Sequence, residues 1–205
     1  MSNQKEIRAL EMETVKAVDD DSMVVEGYAI RFNTWSEDLG GFVETISPEA
    51  FTDLDLSDVR CFVDHDSSKV LGRTTSQTLE LTVDSEGLYF RCQLPNTSYA
   101  RDLYENIKLQ NVNQCSFAFL LDEDGDEISK RSDGLFERTI RKIKSLWEIS
   151  IVSIPAYSDT DVAVAQRSIE AIKESEQEEL RKAQQEEQRK LDLAKAQLEL
   201  LKLKK

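Results

Sequence analysis

The chain changes character at Gln166. All seven glycines and all three prolines precede that residue, and the stretch from Gln166 to Lys205 is mostly Glu, Gln, Lys, Arg, Leu and Ala. These are strong helix formers. Ile169, Ile172, Leu180, Ala183, Leu191, Ala194, Leu198 and Leu201 recur at spacings near three and four, so one helix of roughly 60 Å is expected at 1.5 Å per residue. Its apolar stripe is thin, with no bulky apolar residue near position 187. Two readings stay open: a solvated single helix, or a coiled coil or docking segment. The turns all fall before Gln166, so the chain is expected to divide into a folded domain of residues 1–165 and a charged helical tail of 166–205.

The domain reads as α+β, mainly β. Residues 5–18 suggest an opening strand, followed by a turn at Asp19 to Ser22. Met23 to Phe32 is rich in β-branched and aromatic residues and predicts a strand, with a bulge or close backbone approach at Gly27. Phe42 to Ile46 suggests a short strand, and Ser47 before Pro48 a helix start. Val59 to Val63 predicts a strand that ends at Asp64-His65-Asp66. Thr78 to Val83 and Leu88 to Leu94 form a hairpin about Ser85-Glu86-Gly87. Tyr99 to Leu109 places Ala100, Leu103, Tyr104 and Ile107 on one helical face. Phe136 to Ile143 alternates, and Leu146 to Ile154 is apolar on both faces, which predicts a central strand, stopped by Pro155.

Charge narrows the partners. The formal net charge is −14, and since the tail holds ten Lys/Arg against nine Asp/Glu, the first 165 residues carry −15. So acidic a domain is poorly suited to nucleic acid or an anionic membrane. There is neither an apolar run long enough to span a bilayer nor a signal-peptide core at the start, and a reducing cytoplasm is expected. Cys61, Cys92 and Cys115 do not suggest a disulfide framework. Asp122 to Glu127 has the look of a calcium loop, but its glycine and its twelfth residue, Asp133, are misplaced; a solvated hairpin loop is the better reading. No cofactor or metal is expected.

Three residues could carry chemistry. His65 is the only histidine. Period two puts it with Cys61 and Val63 on one strand face, at a strand end where an imidazole meets solvent. Asp-His-Asp could also bind zinc, but no second histidine exists to complete such a site. Ser116, in Val112 to Leu121 (VNQCSFAFLL), shares a face with Ala118, leaving open space for a substrate carbonyl, while Cys115, Phe117 and Phe119 take the other. A serine nucleophile needs a base within hydrogen-bond reach, and His65 is the natural one; an ordinary strand serine is the competing reading. Cys115 is a rival nucleophile, though a buried thiol would be inert. Glu148 lies on a face with Leu146, Ser150, Val152 and Ile154. A carboxylate in so apolar a strand must be paired, either with His65 as an orienting acid or with an arginine such as Arg73 or Arg138. Asp64 and Asp66 are substitutes for the orienting role.

At these residues the sequence resembles the prohead maturation proteases of tailed bacteriophages. The resemblance runs through VEGYAIRFN, SEDLGGFVETISPEAF, DHD followed by LGRT, CSFAF, and WEISIVSIPAYSDT. It implies a fold related to the herpesvirus assembly proteases, a β-barrel ringed by helices. It also implies Ser116 as nucleophile and His65 as base. In the herpesvirus enzymes the third member is a second histidine; here an acid must serve, and Glu148 is favoured over Asp64. The oxyanion hole is sought in the backbone of Arg138 to Arg141. The implied task is that of a serine endopeptidase inside the procapsid, in the host cytoplasm, which trims the scaffold part of the major capsid protein and itself. A homodimer and scaffold-like docking of the tail, or its removal by self-cleavage, fit that task. A noncatalytic scaffold or assembly protein acting through its tail is the alternative.

Overall fold

The computed structural model describes residues 5–9, 15–19, 22–154 and 163–202. The chain divides into two compact units, Met1–Val164 and Ala165–Lys205. The second is built from helix α2 (Ala163–Lys202), whose Leu180 is 61% exposed. Glu178–Lys182 and Glu186–Lys190 pair along it at one-turn spacing.

The first unit is mainly β. Its strands are β1 (Glu6–Ala9), β2 (Val15–Asp19), β3 (Val24–Arg31), β4 (Phe42–Ile46), β5 (Arg60–Val63), β6 (Asp66–Arg73), β7 (Leu79–Val83) and β8 (Gly87–Gln93), then β9 (Gln114–Leu121), β10 (Asp126–Lys130), β11 (Phe136–Ile140) and β12 (Ile143–Val152), with helix α1 (Ser98–Lys108) before β9. They form three sheets in the orders β1-β9-β12-β5-β6, β2-β3-β8-β7 and β10-β11-β4. The closed barrel implied by the resemblance is not found among the described residues. Beyond Leu121 the chain turns at Asp122 to Gly125, whose backbone bonds to Lys142 and Arg141. The β10–β11 hairpin therefore joins β4, in parallel, instead of extending β9's ladder. The loop expected to be a hairpin is thus a crossover between sheets, and its Asp122 and Asp126 are engaged by Lys142 and Arg138.

One core joins the sheets: Val25, Ile30, Leu88 and Phe90 from one, Cys61, Phe117, Phe119, Leu146 and Ile149 from another, and Ala100, Leu103, Tyr104 and Ile107 from α1. Those four helical residues are the face expected from their spacing. Ser47 accepts from Glu49 N to cap a short 3-10 turn at Pro48–Phe51. Other details differ from expectation. The opening stretch is two strands in different sheets, with Leu10 and Met12 outside the described residues. The bulge in β3 falls at Ala29, not Gly27, where the pairing with β8 skips a residue. A close approach occurs at Gly87, where a Cβ would sit 1.9 Å from Ile30 O. Strand β6 has no signature in the sequence, because its exposed residues, Ser67 to Val70, carry no alternation. Pro155, the expected stop of β12, lies outside the described residues.

Candidate active site

Antiparallel pairing of β9 with β12 sets Ser150 opposite Ser116 and Glu148 opposite Ala118, so these four side chains share a face. A bulge at Trp147 makes this geometry. Leu146 pairs with Phe119 and packs in the core, whereas Glu148, two residues later, stands on the opposite side of the sheet. Strict alternation had put Leu146 on the Glu148 face; the extra residue resets the period, as bulges beside functional sites do, and leaves Trp147 53% exposed.

His65 arrives by a turn. Val63 pairs with Asp66, and the two residues between them have left-handed backbones, φ +47° at Asp64 and +59° at His65. A two-residue turn with both φ positive suits the strand twist of a hairpin, and Asp and His tolerate that conformation better than most. The turn carries His65 off the face of Cys61, which is buried in the core opposite Ile149; period two does not extend through it. Asp64 fixes the turn to the end of β12, accepting from Ser153 N at 2.7 Å and Ser153 Oγ at 3.0 Å. Asp66 accepts from Ser68 N and Oγ. Both flanking aspartates are thereby engaged away from the ring.

Ser116, His65 and Glu148 meet. His65 Nε2 lies 2.7 Å from Ser116 Oγ and Nδ1 lies 3.0 Å from Glu148 Oε1. Ser150 Oγ donates to Glu148 Oε2 at 3.0 Å, and Lys5 Nζ donates to Oε1 at 3.0 Å. Burial alone would raise the Glu148 carboxyl, but hydrogen bonds from His65 and Lys5 and the lysine charge hold it below its ordinary value of 4.5. The arginines offered as partners for Glu148 are occupied elsewhere: Arg73 with Asp58, and Arg138 with Glu6, Glu44 and Asp126.

A family model described as caudovirus prohead serine protease matches residues 9–175. The chain belongs to that family. Among solved structures it is similar to the bacteriophage T4 capsid assembly protease, gp21, with 11% identity and a TM-score of 0.44, covering 73% of this chain and 97% of that one. No curated protein matches it in sequence.

A prohead serine protease needs an activated hydroxyl, and the rival nucleophile is poorly placed to replace it. Cys115 is fully buried, and burial pushes its thiol up to about 12 against backbone hydrogen bonds that lower it, so it stays protonated and unreactive. The expected oxyanion segment does not serve. β11 is flanked by β10 and β4, whose ladders use its N–H groups, and Arg141 N and Lys142 N donate to Gly125 O. The open space expected beside Ser116 is also absent, since Ser116 and Ala118 are both fully buried. Sequence reasoning overlooked Ser150, although period two from Glu148 places it on the site face. It overlooked Lys5 as well, for which the sequence carries no signal.

Proposed function

We propose that this chain is a serine endopeptidase acting inside the procapsid, with Ser116 as nucleophile, His65 as general base and Glu148 as the acid that orients the imidazole. The observation that carries the reading is the unbroken relay Ser116 Oγ–His65 Nε2 and His65 Nδ1–Glu148 Oε1. In such a relay Nε2 takes the hydroxyl proton as Oγ attacks the scissile carbonyl, and later returns it to the departing amine. The carboxylate fixes the tautomer with the proton on Nδ1 and stabilises the imidazolium that forms. Ser150 in turn holds the carboxylate by its second oxygen. Water then repeats the sequence on the acyl-enzyme.

The family supports a procapsid maturation role. We take the substrate to be the scaffold part of the major capsid protein, with self-cleavage as a second reaction and the tail as the segment that docks or is removed. The test is co-assembly with the phage's own capsid protein. The native chain trims it, whereas Ser116→Ala and His65→Ala chains with unchanged circular dichroism leave it full length. Trimming by both variants would overturn the assignment.

A further inference from the structure

A peptidase serine has to meet a peptide bond, yet Ser116 is fully buried. The contact that closes it off comes from the opening segment. β1 is the edge strand of its sheet, antiparallel to β9, with Ala9 opposite Ser116 and Ile7 opposite Ala118. Ser116 Oγ donates to Arg8 O at 2.8 Å. Lys5, immediately before the strand, binds the same Glu148 oxygen that His65 uses. One short segment, Lys5 to Ala9, thus touches two of the three relay residues.

These contacts oppose catalysis. A hydroxyl has one hydrogen. Given to Arg8 O, it is withheld from Nε2 for as long as β1 holds its place. The carbonyl is also turned unproductively. Its oxygen receives the hydroxyl hydrogen, whereas a carbonyl under attack presents its carbon to Oγ and its oxygen to separate donors. Strand β1 therefore sits beside the nucleophile without being in position to be cut.

Extended peptides bind many proteins by adding a strand to a sheet edge, the main chain giving affinity and alternate side chains specificity. β1 does this within the chain. Its alternate residues Glu6 and Arg8 lie on the Phe119 side, with the Arg8 guanidinium 6.0 Å from that ring. There Arg138 binds Glu6 through Nη1 at 2.7 Å and Nη2 at 3.0 Å, and Glu44 binds Arg8 Nε at 2.7 Å. The stretch matched by the family begins at residue 9, after Lys5 to Arg8.

We propose that β1 is a built-in occupant of the substrate-binding edge of β9, and that Glu44 and Arg138 are the specificity-determining residues beneath that edge. They select an extended peptide with an acidic residue and, two positions later, a basic one. The intact chain is then self-blocked, and its activation is the departure of β1 in favour of a substrate strand. The proposal rests on the peptidase reading above.

A site for a sequence-specific protease placed between Ala9 and Val15 lets β1 be cut free from the folded full-length chain and removed by gel filtration. Fluorophosphonate labelling of Ser116 is expected to accelerate by about tenfold or more on release, as when an open form present in one molecule in ten becomes dominant. A synthetic KEIRA peptide should restore the block, and a peptide with the acidic and basic residues exchanged should not. An unchanged labelling rate on release, loss of circular dichroism on release, or equal blocking by the exchanged peptide would each overturn the proposal. Binding of the two peptides to the cut Ser116→Ala chain, read by fluorescence anisotropy, decides the occupancy question without any catalysis. Absence of labelling in every form would instead count against the peptidase reading.

Discussion

Replacing Glu148 by Gln tests the orienting acid with little change of shape. The carboxylate accepts three hydrogen bonds, from His65 and Lys5 on Oε1 and from Ser150 on Oε2. A glutamine oxygen turned toward His65 keeps the first two, and its amide can donate to Ser150 once that hydroxyl rotates, so the geometry survives. What is lost is the negative charge 3.0 Å from Nδ1. At the effective dielectric of a site near the surface, an ion pair at about 4 Å is worth about 4 kcal/mol, a roughly thousandfold slowing of any step that builds an imidazolium. The assay is the second-order rate of fluorophosphonate labelling at Ser116, with native and variant chains compared in the same form and circular dichroism confirming equal folding. A variant rate within about threefold of native would refute the reasoning, because an imidazolium that formed against this carboxylate would necessarily feel its loss.

The buried charges around β1 make further predictions. Arg138 is 1% exposed and binds Glu6, Glu44 and Asp126; Arg138→Met strands buried carboxylates and should cost about 3–5 kcal/mol, a fall in melting temperature of roughly 6–20 °C by calorimetry. Burial pushes the Glu44 carboxyl up, but Arg8 and Arg138 outweigh it and hold the group below 4.5. A carboxyl lowered on folding contributes stability above its unfolded value and loses it as pH falls through the folded one. Urea stability should therefore fall more steeply from about pH 5 downward in the native chain than in Glu44→Gln. Asp64→Ala removes the bonds to Ser153 that fix the His65 turn; a loss of about 1–3 kcal/mol in chemical denaturation is expected, with slower Ser116 labelling in the protein that remains folded.

The lone histidine, the serine between Cys115 and Phe117, and the carboxylate in an apolar strand were legible because each broke a local pattern. Their meeting was less so. Alternation gives the right face for Ser116 and Glu148, but the bulge at Trp147 and the left-handed Asp64-His65 pair interrupt the period of two, and neither carries a glycine to announce it. The core faces of α1 and of the β7–β8 hairpin were readable because burial enforces the period there. The sheet arrangement was not, because the parallel pairing of β11 with β4 joins segments about ninety residues apart through contacts that no local spacing encodes. Lys5, Glu6 and Arg8 look like an ordinary charged start in the sequence; only pairing with β9 buries Glu6 and Arg8 and brings Lys5 to Glu148.

The central claim is that Ser116 is a hydroxyl made nucleophilic by His65. Peptide mapping after fluorophosphonate treatment, in the intact chain and in the chain cut between Ala9 and Val15, measures this directly. A single adduct on the peptide holding Ser116, absent in Ser116→Ala and strongly slowed in His65→Ala, is the expected result. No adduct in either form, an adduct on another residue, or labelling indifferent to His65 would contradict it.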